Sequence, residues 1–247
     1  MTRESIVKQI GEERQLLENN LNQLIKDRIQ YIPIASTELM PYGWRKSAKG
    51  RTVWRIVEEV ISQNLEKYAL DYGFTSVTPA ESEVGVYDFC FNIANGNKSY
   101  VNIKTAVVDG RKNKDDISKA IGLIDFLTEH DNANLYVATF SINFTEDMKI
   151  EIVGCTVCPT TWIPDVYVNP SNNGNFQSSK YQDLTDMVER TNEEFLTELK
   201  NANKIAKLGG KTKLKKAVEK SMKEGMHLEG IAVSYDLTIE QLKEVID

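Results

Sequence analysis

The chain has 247 residues, 41% of them hydrophobic and 27% charged, and carries a formal net charge of −6. This is the composition of a globular chain long enough for one large α/β domain, or one domain with a small appendage, and it excludes a disordered protein. No apolar run approaches the roughly 18 residues that a bilayer-crossing helix needs, and the first residues lack the charged-then-apolar profile of a signal peptide, so a cytoplasmic protein is expected.

Residues 4–30 are predicted to form an amphipathic helix, because Ile6, Val7, Ile10, Leu17, Leu21, Leu24 and Ile25 recur at three- and four-residue steps between charged positions. Such a helix suits either packing on the core or pairing with a second subunit. Between 41 and 55 the sequence turns basic, with Arg45, Lys46, Lys49, Arg51 and Arg55 interleaved with Tyr42, Trp44 and Trp54 and no acid. In a net-negative chain this local charge fits a phosphate-tracking loop ahead of a helix, a solvated basic loop being the plainer alternative. A second amphipathic helix is predicted over 52–70. Val53, Ile56, Val57, Val60, Ile61 and Leu65 line one face, Glu58 and Glu59 flank it, and Gly73 stops it.

From 74 to 108 the period changes to two. Residues 84–93 and 99–108 read as strands joined through the turn pair Asn95 and Gly96. On the returning strand Asn102 and Lys104 share one face, and Val101 and Ile103 the other. A polar loop over 109–116, a helix over 117–129, strands over 134–143 and 150–157, a loop-rich stretch over 159–180 and a helix over 181–207 follow. Residues 208–213 are a plausible linker, and 214–225 and 227–247 short helices. The last stretch resembles a helix-turn-helix, Thr238 capping its second helix with Gln241 at the third position. The expected division is therefore a domain over 1–207 and a small helical appendage over 208–247. Cys155 and Cys158 have C-x-x-C spacing, but a zinc site needs four ligands, and His130 and His227 are far away in sequence. These cysteines are expected to pack at a strand end.

The stretch from Asp88 to Lys104 carries the chemistry. Hydrolysis of a phosphodiester needs a cation to polarise the phosphoryl oxygen and to generate hydroxide from bound water. Magnesium prefers oxygen ligands, a carboxylate or two plus waters. Antiparallel strands hold cross-strand neighbours about 5 Å apart, and a lysine two residues along a strand shares the face, where it can orient the attacking water or offset charge on phosphate.

In this order the residues resemble the PD-(D/E)xK nucleases, in which an acid opens a hairpin and acid-x-Lys lies on the returning strand. Asp88 matches the first acid, with Tyr87 where that family often has Pro, and Lys104 matches the lysine. Asn102 stands where the family has Asp or Glu. Either Asn102 is natural and Glu58 or Glu83 makes up the charge, or it is an Asp→Asn replacement that permits DNA binding without cutting. Residues 50–59 are similar to the family's entry to a helix carrying a further acid, with Glu58 favoured and Glu59 next. Tyr167, Asn169, Pro170, Gly174, Asn175 and Gln177, followed by a long helix, resemble a segment of type II restriction endonucleases of the HpaI and SwaI kind. Asn and Gln amides there suit bidentate contacts to base edges.

The resemblance implies a restriction-endonuclease-like α/β core, a mixed central sheet flanked by helices, and Mg²⁺-dependent hydrolysis of a specific duplex DNA sequence. It implies Asp88, Asn102 and the Ile103 carbonyl as metal ligands and Lys104 as the group that positions water. Arg45, Lys46, Lys49 and Arg51 would hold phosphates, and Asn169, Asn175 and Gln177 would contact bases. A palindromic target implies a two-fold homodimer, with the N-terminal helix as a candidate surface. Two other classes fit the same residues: a non-catalytic DNA-binding protein on a nuclease fold, and a helical interaction scaffold.

Overall fold

The computed structural model describes residues 1–45, 51–81, 85–93, 96, 98–110, 114–171 and 174–246, with the backbone alone at Arg51 and Thr52. Helix α1 (Arg3–Leu24) is capped by the Thr2 side chain and runs into a π-helical turn, Ile25–Ile29. The short strand β1 (Tyr31–Pro33) follows. Helix α2 (Arg51–Tyr68) continues as a 3-10 turn and ends at Gly73, whose φ of 77° is the left-handed conformation that a residue without Cβ adopts freely. Strands β2 (Phe74–Pro79), β3 (Phe89–Ile93) and β4 (Ser99–Val107) then form a meander.

Strand β5 (Asp115–Lys119) and helix α3 (Ala120–Glu129) lead to β6 (Leu135–Phe144) and β7 (Lys149–Pro159). The six-stranded sheet has the order β1-β7-β6-β4-β3-β2, with β4 and β6 parallel and the other pairs antiparallel. A parallel pair needs a crossover, and β5 with α3 supplies it. Strands β8 (Tyr167–Asn169) and β9 (Asn175–Ser178) join β5 in a second, three-stranded sheet. Helices α4 (Asn192–Lys207), α5 (Lys211–Lys223), α6 (Leu228–Tyr235) and α7 (Ile239–Ile246) complete the chain.

The two sheet faces bury separate cores. Val101, Ile103, Phe89 and Phe91 pack with α1 and α2, whereas Tyr100 and Cys90 pack with α3 and α4. The alternation expected along β4 is therefore realised. A third cluster joins Leu214, Val218, Ile231, Leu237, Leu242 and Val245 of the C-terminal helices, with Ile205 and Leu208 packed against it. The architecture is the mixed sheet flanked by helices, with C-terminal helices beyond it, that the sequence led us to expect. No helix among the described residues is long and apolar enough to cross a membrane.

Several boundaries differ from expectation. Residues 115–119 are a strand where the end of a loop and the start of a helix were expected, and β8 and β9 lie in the stretch expected to be loop-rich, because these segments offer one another pairing edges that local sequence does not reveal. The α-helix expected from 181 does not begin before Asn192, and only the 3-10 turns Lys180–Gln182 and Leu184–Asp186 precede it. Asp183 turns the chain by accepting from Thr185 N–H, and Val188 N–H donates to the Trp162 carbonyl. The Arg190 guanidinium is buried on the Thr161 and Ile163 carbonyls, so α4 starts only at the Thr191–Glu194 capping box. The strand placed over 84–93 begins at Phe89, leaving Asp88 just outside it.

The cysteines meet the plain expectation. Cys155 and Cys158 are three residues apart on β7, an odd spacing that turns them to opposite faces and into different cores. Burial raises both thiols, Cys158 to about 12. Among the described residues no group of three or more His, Cys, Asp and Glu could hold a metal.

Candidate active site

The site is built where β3 and β4 part. Phe89 pairs with Val101, and one step further the ladder would pass to Asp88 and Asn102. Instead Asp88 N–H donates to the Val101 carbonyl, and the Asp88 carboxylate takes over the ladder, with Oδ2 accepting from Ile103 N–H at 2.5 Å. In a strand the N–H and C=O of one residue point the same way, so the Ile103 carbonyl is directed towards the same edge as the Asp88 carboxylate. Much of Asp88 faces solvent, but its carboxylate is turned inward. Burial there raises its pKa, against the lowering effect of the Ile103 hydrogen bond, Lys104 and Arg55.

Helix α2 brings the second carboxylate. Val53, Val57 and Ile61 are buried against the sheet, and that rotation turns the half-buried Glu58 towards Asp88. Burial raises the Glu58 pKa first and the Asp88 charge second, while Lys104 and Arg55 lower it. Glu59 is exposed and accepts from the Gln63 amide at 2.6 Å, one turn along the helix. A groove of about 590 Å³ is lined by Arg55, Glu58, Glu59, Pro79, Ala80 and Asp88. A larger cavity, about 680 Å³, lies between the N-terminal ends of α1 and α4 and is remote from this group.

Asn102 lies on the same strand face as Lys104 and is 7% exposed. Its Nδ2 donates to the Val86 carbonyl at 3.2 Å and to the Ile117 carbonyl of β5 at 3.1 Å. Its Oδ1 is buried without a donor. Sequence reasoning had no view of these carbonyls, since Ile117 comes from a strand it read as helix. It also flagged Arg55 only as part of a basic stretch. Arg55 sits one turn before Glu58 on α2, and the three-residue spacing was the available signal.

The remaining expected residues are spread out. Arg45 stacks over Tyr42, its guanidinium carbon 5.4 Å from the ring centroid. Trp44 anchors that segment by donating to the Thr145 carbonyl at 2.8 Å. Lys46, Lys49 and Glu83 lie outside the described residues, as does the side chain of Arg51. In the small sheet the amides are engaged with one another. Asn169 Nδ2 donates to Gln177 Oε1 at 3.0 Å, Gln177 Nε2 donates to Asp116 Oδ1 at 2.6 Å, and Asn175 Oδ1 is buried without a partner. Asp116 precedes Ile117, so this network adjoins the Asn102 pocket through β5.

The donors at this edge are oxygens: two carboxylates that line one groove, and the backbone carbonyl of Ile103 directed towards Asp88. A hard divalent cation fits such a set and would relieve the Asp88 repulsion that, after burial, raises the Glu58 pKa. Soft or tetrahedral N/S chemistry does not fit it.

No protein-family model matches the chain, and no curated protein matches it. Among solved structures, the NlaIV restriction endonuclease aligns with a TM-score of 0.49 and 13% identity, over 86% of this chain and 91% of its own.

Proposed function

We propose that this chain is a Mg²⁺-dependent endonuclease that cuts duplex DNA, of the PD-(D/E)xK type and similar in motif order to type II restriction enzymes of the HpaI and SwaI kind. One observation carries the reading. Asp88 and Glu58, thirty positions apart in sequence, line one groove at the point where β3 and β4 separate, near enough to Lys104 for its charge to act on both.

When bound, Mg²⁺ would polarise a phosphoryl oxygen and make water a competent nucleophile at neutral pH. Asp88, Glu58, Asn102 Oδ1 and the Ile103 carbonyl would hold it. Lys104 orients the attacking water and offsets negative charge at the phosphate. Arg55 stands at the mouth of the same groove. Arg45, Lys46, Lys49 and Arg51 hold phosphates, and the Asn169, Asn175 and Gln177 group contacts bases or sets the hairpin that does. A palindromic target calls for a two-fold homodimer. The apolar stripe of α1 is buried within the chain, so its pairing surface would be its polar face. DNA cutting of this kind belongs in the cytoplasm.

The test is cleavage of supercoiled and linear DNA with Mg²⁺. Discrete fragments are expected, and Asp88→Ala and Lys104→Ala should each lose at least about 100-fold in rate, in line with removal of a positioned acid–base or electrostatic group. Normal cutting by Lys104→Ala would sink the assignment. The Asn102 environment favours a second reading, a DNA-binding protein that does not cut. Two backbone carbonyls occupy the amide N–H groups, and a full pair of hairpin acids is missing. That reading predicts salt-sensitive binding with no fragments from the chain or from Asn102→Asp.

A further inference from the structure

Residues 200–223 hold nine lysines and one glutamate in a chain of net charge −6. The imbalance is organised on α5. Leu214 and Val218 are buried against α6 and α7, and Lys213, Lys216, Lys220 and Lys223 recur at steps of three, four and three residues, all exposed. At 100° per residue this stripe is centred opposite the buried pair. Like charges at these spacings repel and disfavour an isolated helix. Glu219 lies one turn from Lys216 and Lys223, and of the four lysines Lys220 alone makes an ion pair among the described residues, with Glu224 at 3.7 Å in an exposed pair. Lys213, Lys216 and Lys223 make no ion pair among the described residues.

The position of α5 ties the stripe to the candidate site. Its N-cap, Gly210, has a φ of 88°, and a Cβ there would stand 3.0 Å from Pro170, the residue after β8. Strand β8 pairs with β9, β9 pairs with β5, and the Ile117 carbonyl of β5 holds Asn102. Between α6 and α7 the chain turns at Asp236, left-handed at φ 53°, and Thr238 and Gln241 exchange capping hydrogen bonds. Yet the exposed groups of α7 are Glu240, Lys243 and Glu244, a net-negative surface that phosphates avoid.

We propose that the lysine stripe of α5, rather than α7, is a second duplex-DNA surface that tracks the phosphate backbone, on a helix whose N-terminus packs against the small sheet. This rests on the reading of the chain as a protein that acts on DNA. Four ammonium groups spread over ten residue steps of helix, about 15 Å, form a regular line of point charges. Such a line suits a regular polyanion and supplies position and affinity without sequence information.

The experiment uses the full chain, a Lys213/Lys216/Lys220/Lys223→Gln variant and the corresponding Lys→Arg variant. Fluorescence anisotropy without Mg²⁺ follows binding of a duplex DNA across salt concentrations, and circular dichroism confirms equal folding of these surface variants. The Gln variant should bind at least about tenfold more weakly at about 50 mM salt, and its slope of log K against log salt should be shallower by about 3. The Arg variant should keep both. Unchanged affinity and slope in the Gln variant, tighter binding of duplex RNA than of DNA, or absence of salt-dependent binding by the parent chain would each overturn the proposal. Mg²⁺ cleavage at saturating protein is measured separately. Cutting with an unchanged slope removes the stripe alone, whereas a changed slope without cutting by any of the three proteins supports the stripe and removes the nuclease reading.

Discussion

At Asn102 the surroundings explain the amide. Its Nδ2 faces two backbone carbonyls, those of Val86 and Ile117, and a carboxylate in its place would set an acceptor against two acceptors. Leaving those buried carbonyls without a donor should cost on the order of 3 kcal/mol. Asn102→Asp is therefore expected to lower stability by about that much in a denaturant titration, without raising DNA cutting above the parent's. A variant as stable as the parent and newly active would place the missing carboxylate at 102. Glu58 instead supplies the second charge. The sequence offered Glu58 and Glu59 as neighbours on one helix, and only the rotation that buries Val57 separates them. Glu58 turns to Asp88, and Glu59 turns outward to Gln63.

Helix α1 shows the same limit at the scale of an element. Its apolar stripe was legible from the spacing of Val7, Ile10, Leu17, Leu21 and Leu24, but the partner was not. In the fold α1 lies along β7. Asn22 brackets Cys155 by accepting from its N–H and donating to its carbonyl, and Glu18 accepts from Val157 N–H. These contacts seal strand groups that an open edge would expose. Glu13 on the same helix is 6% exposed, accepts from the Asn134 amide at 3.0 Å through Oε2, and leaves Oε1 without a partner. Burial raises its pKa, against the lowering effect of the Asn134 hydrogen bond and of the neighbouring Ser99 and Tyr136 hydroxyls. The folded state therefore holds this proton more tightly than the unfolded chain. Glu13 subtracts nothing at low pH and destabilises progressively as pH rises from the unfolded value through the raised folded one. Glu13→Gln should flatten that part of the stability–pH profile and gain about 1–3 kcal/mol near neutral pH. A profile identical to the parent's would mean that Glu13 titrates alike in both states.

For the molecule as a whole, the net charge of −6 says little about its partners, because charge is segregated. Acids meet in the groove between α2 and the β3–β4 edge, and lysines collect at the end of α4 and along α5. Bringing Asp88 and Glu58 together costs the fold electrostatic free energy that a bound divalent cation would return. At a concentration near 100 times its Kd, Mg²⁺ should stabilise the folded chain by about 2.7 kcal/mol, a rise in Tm of roughly 5–10 °C. Asp88→Asn should fold and lose that rise in a thermal melt with and without Mg²⁺. An equal rise in both proteins would put the cation elsewhere.

The sequence by itself determined the periodic elements, the alternation that puts Asn102 and Lys104 on one face of β4, and the order of the charged residues along a helix and a hairpin. Those properties are local, fixed by side-chain spacing and turn chemistry over a few residues. Only the tertiary structure decided that residues 115–119 are a strand, because β9 pairs with them from some sixty positions away. It alone decided that residues 181–191 form short 3-10 turns and irregular chain around Trp162 and Arg190 instead of the start of α4. It likewise selected Glu58 over Glu59 and set two carbonyls around Asn102. Each of these depends on which groups are buried together, and burial is settled by the packing of distant segments.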